Sequence, residues 1–265
     1  MIAPLCPIGT LGDGVTRTGL FVLPSVGEPA RGLALMLHGR NGAPAQPQIV
    51  EAAGALVRHG FTTVIPALPN SAPNAEDGTA GGEPHSFTMA AHHADAARVL
   101  DWLAKGGAEA AGGPPGQVLL AGHSMGAYAA LRLAAEHGGD AVGAVLAVSA
   151  VVSGNALLAA RATMGPGALA ALEREVPGAT AEYTAHDLAP FAARLTQSLA
   201  FLTGVRDGLT RPGDVSRFAA TLKPAPFVAT IPGAEHCPSG PAYELALDRA
   251  LGWIAAHWPP DATTA

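Results

Sequence analysis

The sequence predicts an α/β protein built on a doubly wound, mostly parallel sheet. Three observations carry this prediction: short apolar runs recur along the chain, helical patterns lie between them, and the runs are continuous and do not alternate with polar residues. Strands that are apolar on both faces are typical of a parallel sheet covered by helices on both sides. The repeated strand–helix order indicates that crossover helices wind this sheet.

Seven apolar runs are the predicted strands. In chain order they are Gly19–Leu23, Leu33–Leu37, Phe61–Ile65, Val118–Ala121, Val142–Ser149, Ser198–Thr203 and Phe227–Ile231. Four segments between or after these runs place apolar residues three and four positions apart, which predicts amphipathic helices. These helices are Gln48–His59, Thr88–Lys105, Met125–His137 and Tyr243–His257.

Two stretches interrupt this order. Pro66–Ser86 is rich in Pro, Gly, Asn and Ser and has no periodicity, so we expect a long loop at the rim of a functional site. Val151–Gln197 is longer than one crossover helix requires, and its apolar-periodic pieces at Ala156–Met164 and Ala168–Val176 predict a small helical cap. We therefore expect residues 1–265 to form one domain with a cap insertion at residues 151–197.

Composition excludes several classes of protein. The 265 residues carry a net charge of −6 and no basic block, so nucleic acid is excluded as a partner. The longest apolar stretch, Val142–Val152, is shorter than the roughly 20 residues that a membrane span needs. Met1–Gly9 lacks the features of a secretory signal, so a cytoplasmic protein is expected. Cys6 and Cys237 match no zinc spacing, and no metal site is predicted.

The most informative motif is Gly122-His123-Ser124-Met125-Gly126, a G-x-S-x-G sequence. It follows the predicted strand Val118–Ala121 and opens a predicted helix, which is the setting of a sharp elbow that projects a nucleophilic serine. The glycines have a mechanical role there, because neighbours without a Cβ let the strand and helix approach closely. The alternative is a glycine-rich turn with an ordinary serine.

A serine nucleophile needs a base, which an acid orients in turn. His236 follows the last predicted strand and is the predicted base, whereas the other histidines fit positions within or near helices. Asp207 follows the strand Ser198–Thr203 and is the predicted acid. Three further carboxylates are alternatives for that role: Asp187, Asp214 and Glu235. The chain order Ser124, Asp207, His236 is the order that accompanies this elbow.

The negative charge of a reaction intermediate is predicted to be stabilised at the turn Leu37-His38-Gly39-Arg40-Asn41-Gly42. The backbone N–H groups of Arg40 and Met125 would together hold an oxyanion. The side chains of Arg40 and Asn41 either face solvent or recognise a polar or anionic group of the substrate. Phe87 and Tyr128, with Asn41, are predicted to contact substrate, with core packing as the alternative for the two aromatic residues.

These motifs resemble those of the serine hydrolases of the α/β-hydrolase superfamily, over about residues 19 to 258. The resemblance implies the α/β-hydrolase fold with about eight strands, no metal or organic cofactor, and acyl transfer through a serine ester. In size the chain is similar to the carboxylesterase and dienelactone-hydrolase-like branches. Dienelactone hydrolases proper carry a cysteine where this chain has Ser124.

The expected function is a serine esterase that cleaves a small or medium carboxylic ester through an acyl-enzyme. Thioester, amide or peptide, and carbon–carbon bond hydrolysis are alternatives, because the fold supports all of them. A non-catalytic ligand-binding protein is a further alternative, but it would gain nothing from a complete base and acid relay. The expected partner is a small-molecule ester, and the oligomeric state is left open, a homodimer included.

Overall fold

The strands of the computed structural model join into one sheet. The model describes residues 6–12, 17–26, 30–70 and 86–258, and within these ranges the sheet has eight strands. They are β1 (Cys6–Gly12), β2 (Arg17–Leu23), β3 (Gly32–Leu37), β4 (Phe61–Ala67), β5 (Val118–His123), β6 (Val142–Val148), β7 (Ser198–Gly204) and β8 (Phe227–Ile231). The spatial order is β1-β2-β4-β3-β5-β6-β7-β8. Neighbours from β4 to β8 pair parallel, whereas β2 pairs antiparallel with both β1 and β4. The predicted doubly wound, mostly parallel sheet of about eight strands is confirmed.

Helices connect the strands and cover the sheet. The α-helices are α1 (Pro47–Arg58), α2 (Met89–Trp102), α3 (Ala108–Ala110), α4 (Met125–Ala141), α5 (Gly154–Ala162), α6 (Ala168–Glu175), α7 (Ala179–Thr184), α8 (Pro212–Ala219) and α9 (Pro241–Ala256). A π-helical turn at Leu103–Gly107 joins α2 to α3, and a 3-10 helix spans Ala189–Arg194. Local capping explains some of the boundaries: Pro47 begins α1, and the Thr88 hydroxyl accepts from the Ala91 N–H at the start of α2.

The core divides into two layers because successive strand residues face opposite sides of the sheet. In β5, Leu120 packs with α2 and α4 on one side, whereas Leu119 and Ala121 pack with α1 and α9 on the other. These residues are at most 3% exposed, so both faces of the central strands are dry. Burial on both faces explains why the strand sequences read as continuous apolar runs.

Residues 151–197 lie between β6 and β7 and contain α5, α6, α7 and the 3-10 helix; we call them the 151–197 segment. The segment contacts α2 through α7, where the Glu182 carboxylate accepts from the Ala90 N–H at 3.0 Å. The His186 ring meets the Tyr128 ring of α4 edge to face, with centroids 5.7 Å apart. These contacts place the segment beside the N-terminal ends of α2 and α4.

Several boundaries differ from the sequence predictions. Strand β1 was not predicted, nor were α7 and α8. Pro66 and Ala67 belong to β4, where Leu20 and Gly19 of β2 pair with them, so the predicted loop starts later than Pro66. The rest of that loop lies mainly in residues 71–85, outside the described residues, as do the first residues of the chain and the tail from 259. None of the described helices has the length and apolarity required to cross a bilayer.

Candidate active site

Ser124 sits at the turn between β5 and α4, at the carboxyl edge of the sheet. Its backbone angles are φ 56° and ψ −117°, a combination that L-residues rarely adopt. The Ser124 N–H donates to the Val148 carbonyl at 2.9 Å, which ties the elbow to the neighbouring strand. The chain therefore holds this one side chain in a strained position above the sheet, as the G-x-S-x-G motif predicts.

The motif glycines are required by close backbone approach. A Cβ added at Gly122 would lie 2.3 Å from the Gly126 carbonyl oxygen. A Cβ added at Gly126 would lie 2.4 Å from the Leu37 carbonyl oxygen and 2.5 Å from that of His38. Real Cβ atoms do not approach so closely, so both positions exclude any side chain. The same packing brings the start of α4 against the turn that follows β3.

The strain at Ser124 has a measurable consequence. Backbone in such a region costs about 1–3 kcal/mol, and glycine would relieve it while losing about 0.4–1 kcal/mol to the flexibility of the unfolded chain. Because Ser124→Gly and Ser124→Ala both remove the hydroxyl, their comparison isolates the backbone. We expect Ser124→Gly to exceed Ser124→Ala in free energy of unfolding by about 1 kcal/mol, measured by urea denaturation. Greater stability of the alanine variant would show that the elbow is unstrained.

A chain of hydrogen bonds joins Ser124, His236 and Asp207. The Ser124 Oγ lies 2.9 Å from His236 Nε2. The His236 Nδ1 lies 3.0 Å from Asp207 Oδ2 and 3.2 Å from Oδ1. These three residues come from the ends of β5, β8 and β7, and parallel strands bring those ends to one edge of the sheet. An imidazole held by a carboxylate and bonded to a hydroxyl is the arrangement that can activate a serine.

Asp207 is held by more than the histidine. Its Oδ1 accepts from the backbone N–H groups of Leu209 and Thr210, both at 2.9 Å, and its Oδ2 accepts from the Thr210 hydroxyl at 2.6 Å. Burial acts to raise the pKa of Asp207, but the hydrogen bonds and charge of His236 and the bonds from Thr210 outweigh burial and lower the pKa to about 2. The carboxylate is therefore ionised at any pH near neutrality.

This lowered pKa makes a prediction about acid stability. An aspartate whose pKa is lower in the folded than in the unfolded chain stabilises the fold above its unfolded pKa, and this stabilisation disappears as the pH falls through the folded value. For Asp207 the window runs from about pH 4 to about pH 2. Between pH 5 and pH 2.5 we expect the wild type to lose about 1.5 kcal/mol more stability than Asp207→Asn, measured by urea unfolding. Equal losses would contradict the assigned environment.

The structure separates Asp207 from the three alternative carboxylates. Glu235 points away from the histidine and lies 3.8 Å from Arg206 at the surface. Asp214 forms an ion pair with Arg217 in the first turn of α8. Asp187 accepts from the Ala189 N–H at 2.8 Å and so begins the 3-10 helix. Only Asp207, among the carboxylates of the described residues, has a hydrogen bond to the His236 ring.

The turn after β3 lies against the elbow. His38 fixes it, because its Nε2 accepts from the Leu68 N–H at 3.0 Å and its Nδ1 lies 2.9 Å from the Gly39 carbonyl. The Gly42 N–H closes the turn onto the same carbonyl at 3.0 Å. Met125 is the first residue of α4, so its N–H has no acceptor within the helix. The role of the Arg40 and Met125 N–H groups as oxyanion donors stays a prediction.

Sequence reasoning missed the role of His123, the residue before Ser124. The Nε2 of its buried ring lies 2.8 Å from the carbonyl oxygen of His236. Burial, followed by the nearby His236, lowers the pKa of His123 to about 4, so the ring is neutral at pH 7 and its Nε2–H donates to that carbonyl. The residue thus positions the loop that carries His236. A histidine inside the motif was the available signal, but nothing in the sequence indicated its acceptor.

Removing the hydrogen bond from His123 should loosen the loop that carries His236 without altering the reacting groups themselves. We expect His123→Leu to lower kcat by about 10- to 100-fold, because displacement of a reacting group by a fraction of an ångström is costly. His123→Gln keeps an N–H donor and should recover most of that loss. Steady-state kinetics on one ester substrate measures both variants. Equal activity of the leucine variant and the wild type would remove His123 from this role.

The residues predicted to contact substrate are dispersed. Phe87 and Tyr128 are buried in the core, and the Tyr128 hydroxyl lies 3.5 Å from Arg132. Asn41 is exposed and donates to Glu175 at 3.4 Å. Their contact with a substrate stays a prediction. The Arg40 side chain is only 10% exposed and pairs with Glu175 of α6, so the interpretation that it faces solvent is wrong.

The chain matches one protein family and is similar to solved structures. A model of the alpha/beta hydrolase family matches residues 34–263. None of the curated protein sequences compared with the chain matches it. Among solved structures, the protein Est1E from Butyrivibrio proteoclasticus is similar at a TM-score of 0.71 and 17% identity, covering 96% of this chain and 99% of that one.

Two further structures show the same likeness. An esterase from Pyrococcus furiosus has a TM-score of 0.70 at 14% identity, with 96% of this chain and 91% of that one covered. The esterase domain of a Rhodothermus marinus protein has a TM-score of 0.69 at 14% identity, with 96% and 99% covered. At these identities the likeness shows the fold.

Proposed function

The chain belongs to the alpha/beta hydrolase family, and from that premise we propose that it is a serine hydrolase that cleaves small or medium carboxylic esters. The observation that carries the proposal is the continuous hydrogen-bond chain from Ser124 through His236 to Asp207, with contacts of 2.9 and 3.0 Å. Esterases among the similar structures support the choice of substrate class.

The proposed reaction begins with attack of the Ser124 Oγ on the ester carbonyl. His236 Nε2 takes the hydroxyl proton and then returns a proton to the departing alcohol, while Asp207 holds the ring in the required tautomer and stabilises its charged form. The tetrahedral oxyanion would accept from the N–H groups of Arg40 and Met125. Water, activated by the same histidine, then releases the acid from the acyl-enzyme.

The segments around Ser124 also fit this function. Ser124, the 38–42 turn and the loops that carry Asp207 and His236 all lie at the carboxyl edge of the sheet, where α/β folds bind their ligands. The 151–197 segment would form the cap over this edge within a single domain. Its contacts with α2 through Glu182 and with α4 through His186 support that position.

A matched substrate series tests the bond that is cleaved. The p-nitrophenyl esters of acids with two to twelve carbons measure the depth of the acyl site, and one acyl group presented as ester, thioester and amide compares bond types. We expect hydrolysis of the short and medium esters, slower hydrolysis of the matched thioester and amide, and none with Ser124→Ala. Faster hydrolysis of the thioester or amide would contradict the proposed bond type, and no ester hydrolysis at all would contradict the function.

A further inference from the structure

A cluster of charged side chains lies between the 38–42 turn and the 151–197 segment. The Arg40 Nη2 lies 2.6 Å from Glu175 Oε1 of α6, and Asn41 donates to the same oxygen. Arg161 of α5 also belongs to the cluster: α5 packs against α6 and α7, the Arg161 Nε is buried, and burial followed by the positive charge of Arg40 lowers the pKa of the guanidinium. Tyr183 of α7 completes the group and is 1% exposed.

The cluster of Arg40, Asn41, Arg161, Glu175 and Tyr183 contains two arginines and one carboxylate. Burial acts to raise the pKa of Glu175, but the hydrogen bond and charge of Arg40 hold the pKa below its usual range, so this carboxylate is ionised. Arginine stays protonated even when its pKa is lowered. Glu182, the other nearby carboxylate, is engaged by the Ala90 N–H and by His186. Within the described part of the chain, Glu175 is thus the one carboxylate that forms an ion pair with either arginine.

One donor of each arginine is left without an acceptor. Arg161 Nε and Arg40 Nε are buried and have no hydrogen-bond acceptor in the described ranges, whereas Arg40 Nη2 contacts Glu175. A buried guanidinium without a full set of acceptors is costly. An incoming anion would supply the missing acceptor oxygens.

The position of the cluster relates it to the reacting serine. Arg40 follows Gly39 in the turn that packs against the start of α4, where Ser124 precedes the first helical residue. An anion held by Arg40 would therefore lie on the same edge of the sheet as Ser124. A carboxylate fits this site because the planar guanidinium binds a carboxylate by paired hydrogen bonds.

We propose that Arg161, together with Arg40, binds a carboxylate group of the substrate, so that esters carrying a free carboxylate near the scissile bond are preferred over matched neutral esters. This inference rests on the proposed esterase function and narrows its substrate class. The carboxylate belongs either to the acyl part, as in the half-ester of a dicarboxylic acid, or to the alcohol part. Two pairs of esters distinguish the acyl from the alcohol part. In each pair, one member carries a carboxylate where the other carries a methyl group.

The first pair is monomethyl glutarate with methyl pentanoate, and the second is 4-acetoxybenzoate with 4-methylphenyl acetate. Binding is measured by calorimetry on Ser124→Ala, alone and combined with Arg161→Met or Arg161→Lys. We expect the carboxylate member of at least one pair to bind more tightly than its neutral partner, and Arg161→Met to weaken that binding by about 10- to 100-fold. Arg161→Lys keeps the charge but loses the paired geometry, so an intermediate loss is expected.

Arg174→Met is the matched control, because it removes an exposed arginine from α6, beside Glu175, and should leave the carboxylate preference unchanged. Equal loss in Arg174→Met and Arg161→Met, or no preference for the carboxylate in either pair, overturns the inference. If Arg161→Met does not fold, as judged by circular dichroism, Arg161→Lys decides. Turnover of the same four esters by the wild type tests the function separately: equal kcat/KM on the carboxylate and neutral members of both pairs refutes only the inference, whereas carboxylate binding without hydrolysis of any of the four esters refutes only the esterase function.

Discussion

Replacing Ser124 with alanine is expected to lower kcat for ester hydrolysis by on the order of 10⁵- to 10⁶-fold. The variant loses the atom that forms the acyl-enzyme, and the Oγ that lies 2.9 Å from His236 Nε2 has no substitute. The residual rate would come from the oxyanion donors and from substrate binding alone. Steady-state kinetics on a p-nitrophenyl ester, with thermal unfolding measured on the same samples, tests the prediction.

A matched control removes a hydroxyl at the same level of the sheet. Ser149 follows β6, is fully buried and also has a positive φ, of 46°, but its Oγ makes no hydrogen bond within the described ranges. Ser149→Ala should therefore change kcat by less than about threefold, since a buried hydroxyl without a partner contributes little. Similar losses in the two variants would mean that Ser124 acts only through the packing of the elbow.

Replacing Asp207 with asparagine is expected to lower kcat by about 10⁴-fold with little change in the fold at neutral pH. The backbone donors decide how the new amide is oriented. Asp207 Oδ1 accepts from the Leu209 and Thr210 N–H groups, so the amide oxygen takes that side and its NH₂ group replaces Oδ2. That NH₂ faces His236 Nδ1 and donates to it.

The consequence is a change of tautomer. A histidine that accepts at Nδ1 carries its proton on Nε2, where it can no longer accept the proton of the Ser124 hydroxyl. Asp214→Asn is the control and should keep normal activity, because within the described residues the Asp214 carboxylate pairs with Arg217 of α8 and makes no contact with His236. A loss of less than tenfold in Asp207→Asn would contradict the orienting role proposed for this carboxylate.

The central strands and the elbow could be predicted from sequence because their determinants are local. Continuous apolar runs require burial on both faces, and the G-x-S-x-G motif requires a close approach of strand and helix. Strand β1 was missed because Cys6–Gly12 combines Pro7 with two glycines and has no apolar run. Helix α8 was missed although Val215, Phe218, Ala219 and Leu222 recur at helical spacing and are all buried.

The parts of the site that could not be predicted depend on contacts between distant segments. The bond from His123 to the His236 carbonyl joins residues 113 positions apart. The ion pair of Arg40 with Glu175 exists only because α6 folds back over the turn after β3. Sequence patterns identify which residues can carry charge or donate hydrogen bonds, but the partner is set by how the 151–197 segment docks.

The measurement that tests the central claim most directly is covalent labelling with a fluorophosphonate probe, which reacts with serines activated by a neighbouring base. Intact mass and peptide mapping would identify the site. We expect a single adduct on Ser124 in the folded wild type, slower labelling of Asp207→Asn, and no adduct in Ser124→Ala or in protein unfolded in urea. An unlabelled Ser124 in folded protein would contradict the proposal that the hydrogen-bond chain to His236 and Asp207 makes this serine a nucleophile.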